Sequence, residues 1–141
     1  MDNLNPVLGV IYDFNNDELY TGSIYEEAKL NDMPIYVSSL KEKKQCTLMT
    51  GLPVNTSYSS KSMKNLIEDF KNWKKVRMIG SAAIASIYVA SGKADFYKES
   101  RTNMWDVAAG VAICRAAGGS AKITNLLPSF ALDIEISNGL L

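Results

Sequence analysis

The sequence contains no histidine. That excludes every Ser–His or Cys–His nucleophile pair and every imidazole metal ligand. Any chemistry must run on carboxylates, hydroxyls, backbone amides and a hard cation. Cysteine is nearly as scarce: Cys46 and Cys114 stand far apart, giving neither a disulfide framework nor the paired spacing of a zinc site, and both are expected as buried thiols. Neither sign of charge is in excess, since 15 basic and 15 acidic residues leave a formal net charge of +0. No overall field draws the chain to a nucleic-acid polymer or an anionic membrane, so a small neutral or anionic ligand is the expected partner. Apolar runs fall short of the roughly 20 residues that span a bilayer. The opening Met1-Asp-Asn-Leu-Asn5 lacks a charged-then-apolar signal pattern, and a cytoplasmic protein is expected.

What is present suits one compact core, with 141 residues of which 47% are hydrophobic. Val7-Leu-Gly-Val-Ile-Tyr12 and Glu18-Leu-Tyr-Thr-Gly-Ser-Ile24 read as extended runs joined by Asp13-Phe-Asn-Asn-Asp17, whose Asn and Asp residues supply turn chemistry, so a hairpin is expected. Ala28 to Val37 reads as another turn and a short strand, with Pro34 favouring an edge or strand-start position. After the charged connector Lys41-Glu-Lys-Lys-Gln45, strands and helices alternate. Cys46 to Thr50 is a strand closed by Gly51-Leu-Pro53. Over Lys61 to Trp73, Met63, Leu66, Ile67 and Phe70 share one helical face, which is expected to cover a sheet. Lys75 to Ile79 is a strand, Ser81 to Ser91 a helix ended by Gly92, and Ala94 to Tyr97 a strand. Lys98 to Asn103 reads as a loop, and Asp106 opens a helix ending at Gly118-Gly119. Two further strands follow, over Ala121 to Thr124 and Leu132 to Ile136. Such alternation predicts an α/β fold, an α+β layered sandwich with substantial parallel pairing.

Three features could carry chemistry. Asp106 heads a helix, where a carboxylate either caps free backbone N–H groups or holds Mg²⁺, a hard cation that takes oxygen ligands. Ala108, Ala109, Gly110, Ala112, Ala116 and Ala117 make this a helix of small residues, and Gly110 costs about 1 kcal/mol relative to alanine, so close packing is expected. Trp105 is expected as a core anchor. Gly80-Ser81-Ala82-Ala83 lies at a strand-to-helix junction, where unpartnered N–H groups receive either an anion or a hydroxyl; neither G-x-G-x-x-G nor a Walker pattern is present. Glu99 precedes Asp106 by seven positions and, taken alone, reads as a surface glutamate.

Trp105-Asp-Val-Ala-Ala-Gly110 closing in Gly118-Gly119 resembles the C-terminal signature of the inositol monophosphatase family. Gly80-Ser-Ala-Ala83, Tyr88-Val-Ala-Ser-Gly-Lys-Ala-Asp95, Val7-Leu-Gly-Val-Ile-Tyr-Asp13 and Ile136-Ser-Asn-Gly-Leu140 are similar to family segments in the family's order. The resemblance implies the C-terminal half of that fold: residues 1–45 as remnant antiparallel strands and 46–141 as an α/β domain with a mixed sheet and flanking helices. It implies a Mg²⁺-dependent phosphomonoesterase of inositol or sugar phosphates, with Asp106 as a metal ligand and Gly80, Ser81, Ala82 and Glu99 facing the substrate. A relative of the 3′(2′),5′-bisphosphate nucleotidase type and a non-catalytic homologue acting as a binding or assembly module are the alternatives. The family also uses a Glu-Glu pair and an Asp-Pro-x-Asp-Gly-Thr segment before the stretch matching Val7 to Asp13, and neither is found there. The expectation is therefore an incomplete Mg²⁺ site, a chain inactive alone, and either homo-oligomerisation or pairing with the missing N-terminal half. Trimming after Asn138-Gly139 is expected as well.

Overall fold

The computed structural model describes residues 5–141; residues 1–4, where the expected strand unit and the opening Asn-rich stretch begin, lie outside the described residues. Strand β1 (Leu8–Asp13) pairs antiparallel with β2 (Glu18–Ser23), as the hairpin reading requires. Asp13 fixes the turn: its carboxylate accepts from the Asn15 N–H at 3.1 Å and the Asn16 Nδ2 at 2.7 Å, a side-chain mimic of a backbone turn. The short strands β3 (Lys29–Leu30) and β4 (Met33–Pro34) complete a four-stranded antiparallel sheet in the order β1-β2-β3-β4, with Pro34 on its edge strand.

After a 3₁₀ turn at Lys43–Gln45 come β5 (Thr47–Thr50), α1 (Ser60–Phe70), β6 (Lys75–Met78), α2 (Ala82–Ala90), β7 (Phe96–Asn103), α3 (Met104–Ala116), β8 (Ser120–Thr124) and β9 (Ala131–Ser137). These strands form a mixed sheet in the order β6-β5-β7-β9-β8; β5 runs parallel to β6 and β7, while β9 runs antiparallel to β7 and β8. Helices α2 and α3 pack on each other between the two sheets. One continuous core joins Ile11, Tyr20 and Ala28 of the first sheet to Ile87, Val107 and Ile113 of the helices and to Met49, Tyr97, Ile134 and Ile136 of the second.

Small residues set the spacing of these layers. A Cβ on Gly9 would overlap the Ala109 carbonyl oxygen, and one on Gly110 would overlap the Ser86 side chain of α2. Backbone approach this close needs residues without side chains, which explains a glycine that helix propensity disfavours.

Three expectations change. The segment Lys98 to Asn103 is not a loop but the continuation of β7, because β9 supplies ladder partners as far as Ala131 across a bulge. Trp105 is no core anchor: it is 66% exposed in the first turn of α3. The α1 face does not cover a sheet along its length, since none of its residues is buried. Only its C-terminal end does so, where Phe70 and the nearby Trp73 pack on Cys46, Leu48 and Phe96 on the far side of the mixed sheet. Cys46 and Cys114 are buried free thiols, and burial pushes Cys114 up to about 12. Among the described residues, no helix is long and apolar enough to cross a membrane.

Candidate functional site

The chain leaves β5 through α1 to β6 on one side, then returns through α2 to β7 on the other. Around such a reversal, the crevice outside the carboxyl ends of parallel strands is where α/β sheets place ligands. Three segments emerge at that edge: Gly51 after β5, Gly80 after β6, and the head of α3 after β7.

Glu99 and Asp106 come together in one cleft there. It has a volume of about 430 Å³ and includes Pro53, Asn55, Glu99, Arg101, Asn103 and Asp106 in its lining. A second cleft of about 640 Å³ shares Pro53, Asn55, Glu99 and Arg101 and extends past Asp69, Lys98 and Asp133. Glu99 and Arg101 therefore face both. Gly80, Ser81 and Ala82 line neither cleft.

Each expected residue has a definite local setting. Glu99 lies on β7 with its carboxylate against Gly51, where a Cβ would overlap Oε2. Burial pushes its carboxyl above the usual glutamate range; the Tyr97 hydroxyl, which donates to Oε2 at 3.1 Å, pulls it down, and the charge of Asp106 raises it. Burial likewise raises the Tyr97 hydroxyl. Asp106 is not the cap of α3. That position belongs to Asn103, which makes no side-chain cap bond and instead donates from Nδ2 to Asp106 Oδ2 at 3.2 Å. Asp106 is the acidic residue of the first turn, where a carboxylate complements the helix dipole while staying exposed to a ligand. Ser81 does cap α2, its Oγ accepting from the Ile84 N–H at 3.3 Å. Gly80 has φ +78°, with nothing within 4 Å of the space a Cβ would take.

Sequence reasoning missed Gly51, Asn103 and Arg101. Gly51 had a signal, a glycine closing a strand at the carboxyl edge. Arg101 had none, because its position depends on a bulge between Glu99 and Thr102 that only pairing with β9 creates.

Among the described residues, no group of three or more His, Cys, Asp or Glu side chains could hold a metal ion. These residues do not by themselves build a Mg²⁺ centre.

The profile of the inositol monophosphatase family matches residues 1–126. The chain is 38% identical over 116 residues to the Nus factor SuhB of Pasteurella multocida, covering 79% of this chain and 42% of that protein. It is 37% identical over 118 residues to an inositol monophosphatase of Mesembryanthemum crystallinum, covering 81% and 43%. Among solved structures, the inositol monophosphatase of Anabaena (Nostoc) superposes with a TM-score of 0.83 at 32% identity, over 95% of this chain and 54% of that one. The chain thus spans about half the length of the relatives it matches.

Proposed function

The chain belongs to the inositol monophosphatase family, and on that premise we propose that it supplies the polyol-facing side of a Mg²⁺-dependent phosphate monoester site. The observation that carries this reading is the shared cleft of Glu99 and Asp106 at the carboxyl edge of β5 and β7. Once ionised, Glu99 is acceptor-only and can take hydrogen bonds from two vicinal hydroxyls of an inositol or sugar. Its position against Gly51 and Tyr97 restricts the carboxylate, so a polyol meets acceptors already oriented. Asp106 contributes one carboxylate to a cation site completed by ligands outside the described residues. Gly80, Ser81 and Ala82 line neither cleft; their part in this reading is the free N–H groups at the head of α2, offered to a phosphate at the same carboxyl edge of the sheet.

The same reading divides the chain at residues 1–45 and 46–141 and places the protein in the cytoplasm. It also leaves the chain dependent on a partner. Leu8, Val10, Tyr12 and Leu19 project from one face of β1 and β2 into solvent, and Trp105 is exposed beside Asp106. An apolar face of this kind suits contact with the other half of the family fold or with a second copy of the chain. A non-catalytic binding role is the second reading, favoured by the absence of a metal-holding group among the described residues.

Calorimetric titration of the chain with myo-inositol 1-phosphate in Mg²⁺ tests the proposal. Binding that weakens in Asp106→Asn and in Glu99→Gln is expected; no binding, or binding indifferent to both changes, refutes it. Phosphate release at the rate of full-length relatives would instead refute the dependence on a partner, whereas binding without release fits both the partner-dependent enzyme and the binding module.

A further inference from the structure

The balanced net charge conceals a division along the chain. Residues 41–77 carry nine of the 15 basic residues and three of the 15 acidic ones, and all nine basic residues are exposed. Of the three acids, Asp69 is taken by Lys98 of β7, which lies outside the segment. Glu68 pairs with Lys71 at 2.8 Å, but both side chains are more than half exposed, where such a pair is weak and screened by salt. The segment therefore presents a local positive field that the acid-rich remainder of the chain does not share.

The fold gathers these charges at one corner. Lys44 of the 3₁₀ turn donates from Nζ to the Lys71 carbonyl at the end of α1, and the Lys74 N–H donates to the Lys43 carbonyl at 3.2 Å. Lys75 then opens β6, an edge strand of the mixed sheet. Along α1 and its cap, Lys64, Ile67 and Lys71 are spaced three and four residues apart and share one face. Ile67 is 53% exposed between the two lysines. None of these three lines the cleft of about 640 Å³, which instead takes Met63, Leu66 and Asp69 from the other side of the helix. Protection of a sheet edge accounts for the charges of β6. It does not account for lysines on α1 and the 3₁₀ turn.

The chemistry of the corner selects among polyanions. Eight of its nine basic residues are lysines, compact hydrated point charges, and Arg77 alone supplies the planar fork suited to nucleic-acid recognition. Nor is there a platform on which bases could stack: Phe70 and Trp73 pack against the sheet, and the Lys43 Nζ lies 5.2 Å from the Trp73 ring centroid. What the corner does offer is a lysine cluster beside an amphipathic helix that has no buried residue and carries an exposed aliphatic side chain among its charges. That combination matches an anionic lipid surface. We propose that this corner docks the protein on such a surface, the lysines meeting the headgroups and Ile67 entering the acyl boundary. The docking face is separate from the cleft of Glu99 and Asp106 and does not depend on how that cleft is read.

The test is co-sedimentation of the chain with vesicles of phosphatidylcholine alone and of phosphatidylcholine mixed equally with phosphatidylglycerol. Binding to the mixed vesicles only is expected, and it should fall steeply as salt is raised. The triple variant Lys64→Gln, Lys71→Gln, Lys74→Gln should bind at least about ten-fold more weakly, the scale set by removing three charges from an anionic surface. Ile67→Ser should bind several-fold more weakly. Urea midpoints of both variants should match the native chain, which separates docking from folding. Equal binding to the two vesicle types, binding to neither, or binding to the mixed vesicles that survives the triple substitution overturns the proposal. Full binding by Ile67→Ser overturns the entry of Ile67. Retention of a single-stranded RNA oligonucleotide without binding to the mixed vesicles overturns the lipid assignment and gives the corner to nucleic acid instead.

Discussion

Helix α3 meets the four-stranded sheet and the five-stranded sheet in opposite ways. Toward β1 and β2 the contact is backbone on backbone: Gly9 lies against the Ala109 carbonyl, and a Cβ on Gly22 would fall 2.9 Å from the Ile113 Cα. Toward β7 and β9 it is made by large side chains, with Tyr97, Leu132, Ile134 and Ile136 fully buried. The first interface is set by what is absent and tolerates no addition; the second is set by filled volume and tolerates no removal. Substitutions of opposite kinds should therefore damage the two sides equally.

The largest effects test that symmetry. Ile134→Ala empties a buried site and should lower stability by about 3 kcal/mol through lost burial and a residual cavity. Gly9→Val drives a branched side chain into a carbonyl that cannot move without displacing α3, for a loss of about 3 kcal/mol. Urea unfolding checks both. A Gly9→Val protein as stable as the native chain would mean that the sheet floats on the helix, and the contrast would collapse.

Gly110 extends the comparison to the contact between α2 and α3, with a smaller effect. Gly110→Ala gains about 1 kcal/mol of helix propensity but places a methyl on Ser86, an overpacking cost of about 2 kcal/mol. A net loss of about 1 kcal/mol follows. Ser86→Gly removes the obstruction, so in the double variant Gly110→Ala should become less harmful or favourable, a coupling that a double-mutant cycle reads directly. Additive effects would show that Gly110 is not held by Ser86.

This small-residue helix was legible in the sequence because its cause is local to the sequence: a glycine and several alanines within one helical run signal close approach. The hairpin was legible through Asp13 and its Asn neighbours, and the strand–helix alternation through periodicity. The sequence marks Glu99 and Asp106 as candidates, but the cleft that unites them is not legible in it, because that cleft depends on how β5 and β7 lie side by side. Lys98 to Asn103 misled for a related reason. Polar residues read as a loop, yet at a sheet rim they extend β7 as long as β9 offers partners. Trp105 misled because size alone argued for burial, whereas the head of α3 stands at the edge of the core.

Glu99 carries a smaller, pH-dependent term on the cleft side of the five-stranded sheet. Its carboxyl is raised in the folded chain, chiefly by burial, so the folded state holds the proton more tightly than the unfolded state does. Stability from this group is present at low pH and falls as pH rises from the unfolded glutamate value through the raised folded value. Glu99→Gln should remove that decline. Urea midpoints for both proteins from about pH 4 to about pH 7 measure it, and a decline that survives the substitution would assign it to another group.

The smallest effect on the chain's own stability is expected on the outward face of the four-stranded sheet. Alternation along β1 sends Gly9, Ile11 and Asp13 inward and Leu8, Val10 and Tyr12 outward. An outward residue that contributes nothing to the core can be changed within about 0.5 kcal/mol, so Val10→Lys should leave the urea midpoint of dilute chain nearly unchanged. If that face serves contact with another half-fold or a second copy, the same change should abolish concentration-dependent association in sedimentation. Loss of stability in dilute chain would show that Val10 supports the isolated fold. Unchanged association would mean that the apolar side chains of β1 lie outside the contact, and that the inner glycine face alone explains why β1 has its alternating pattern.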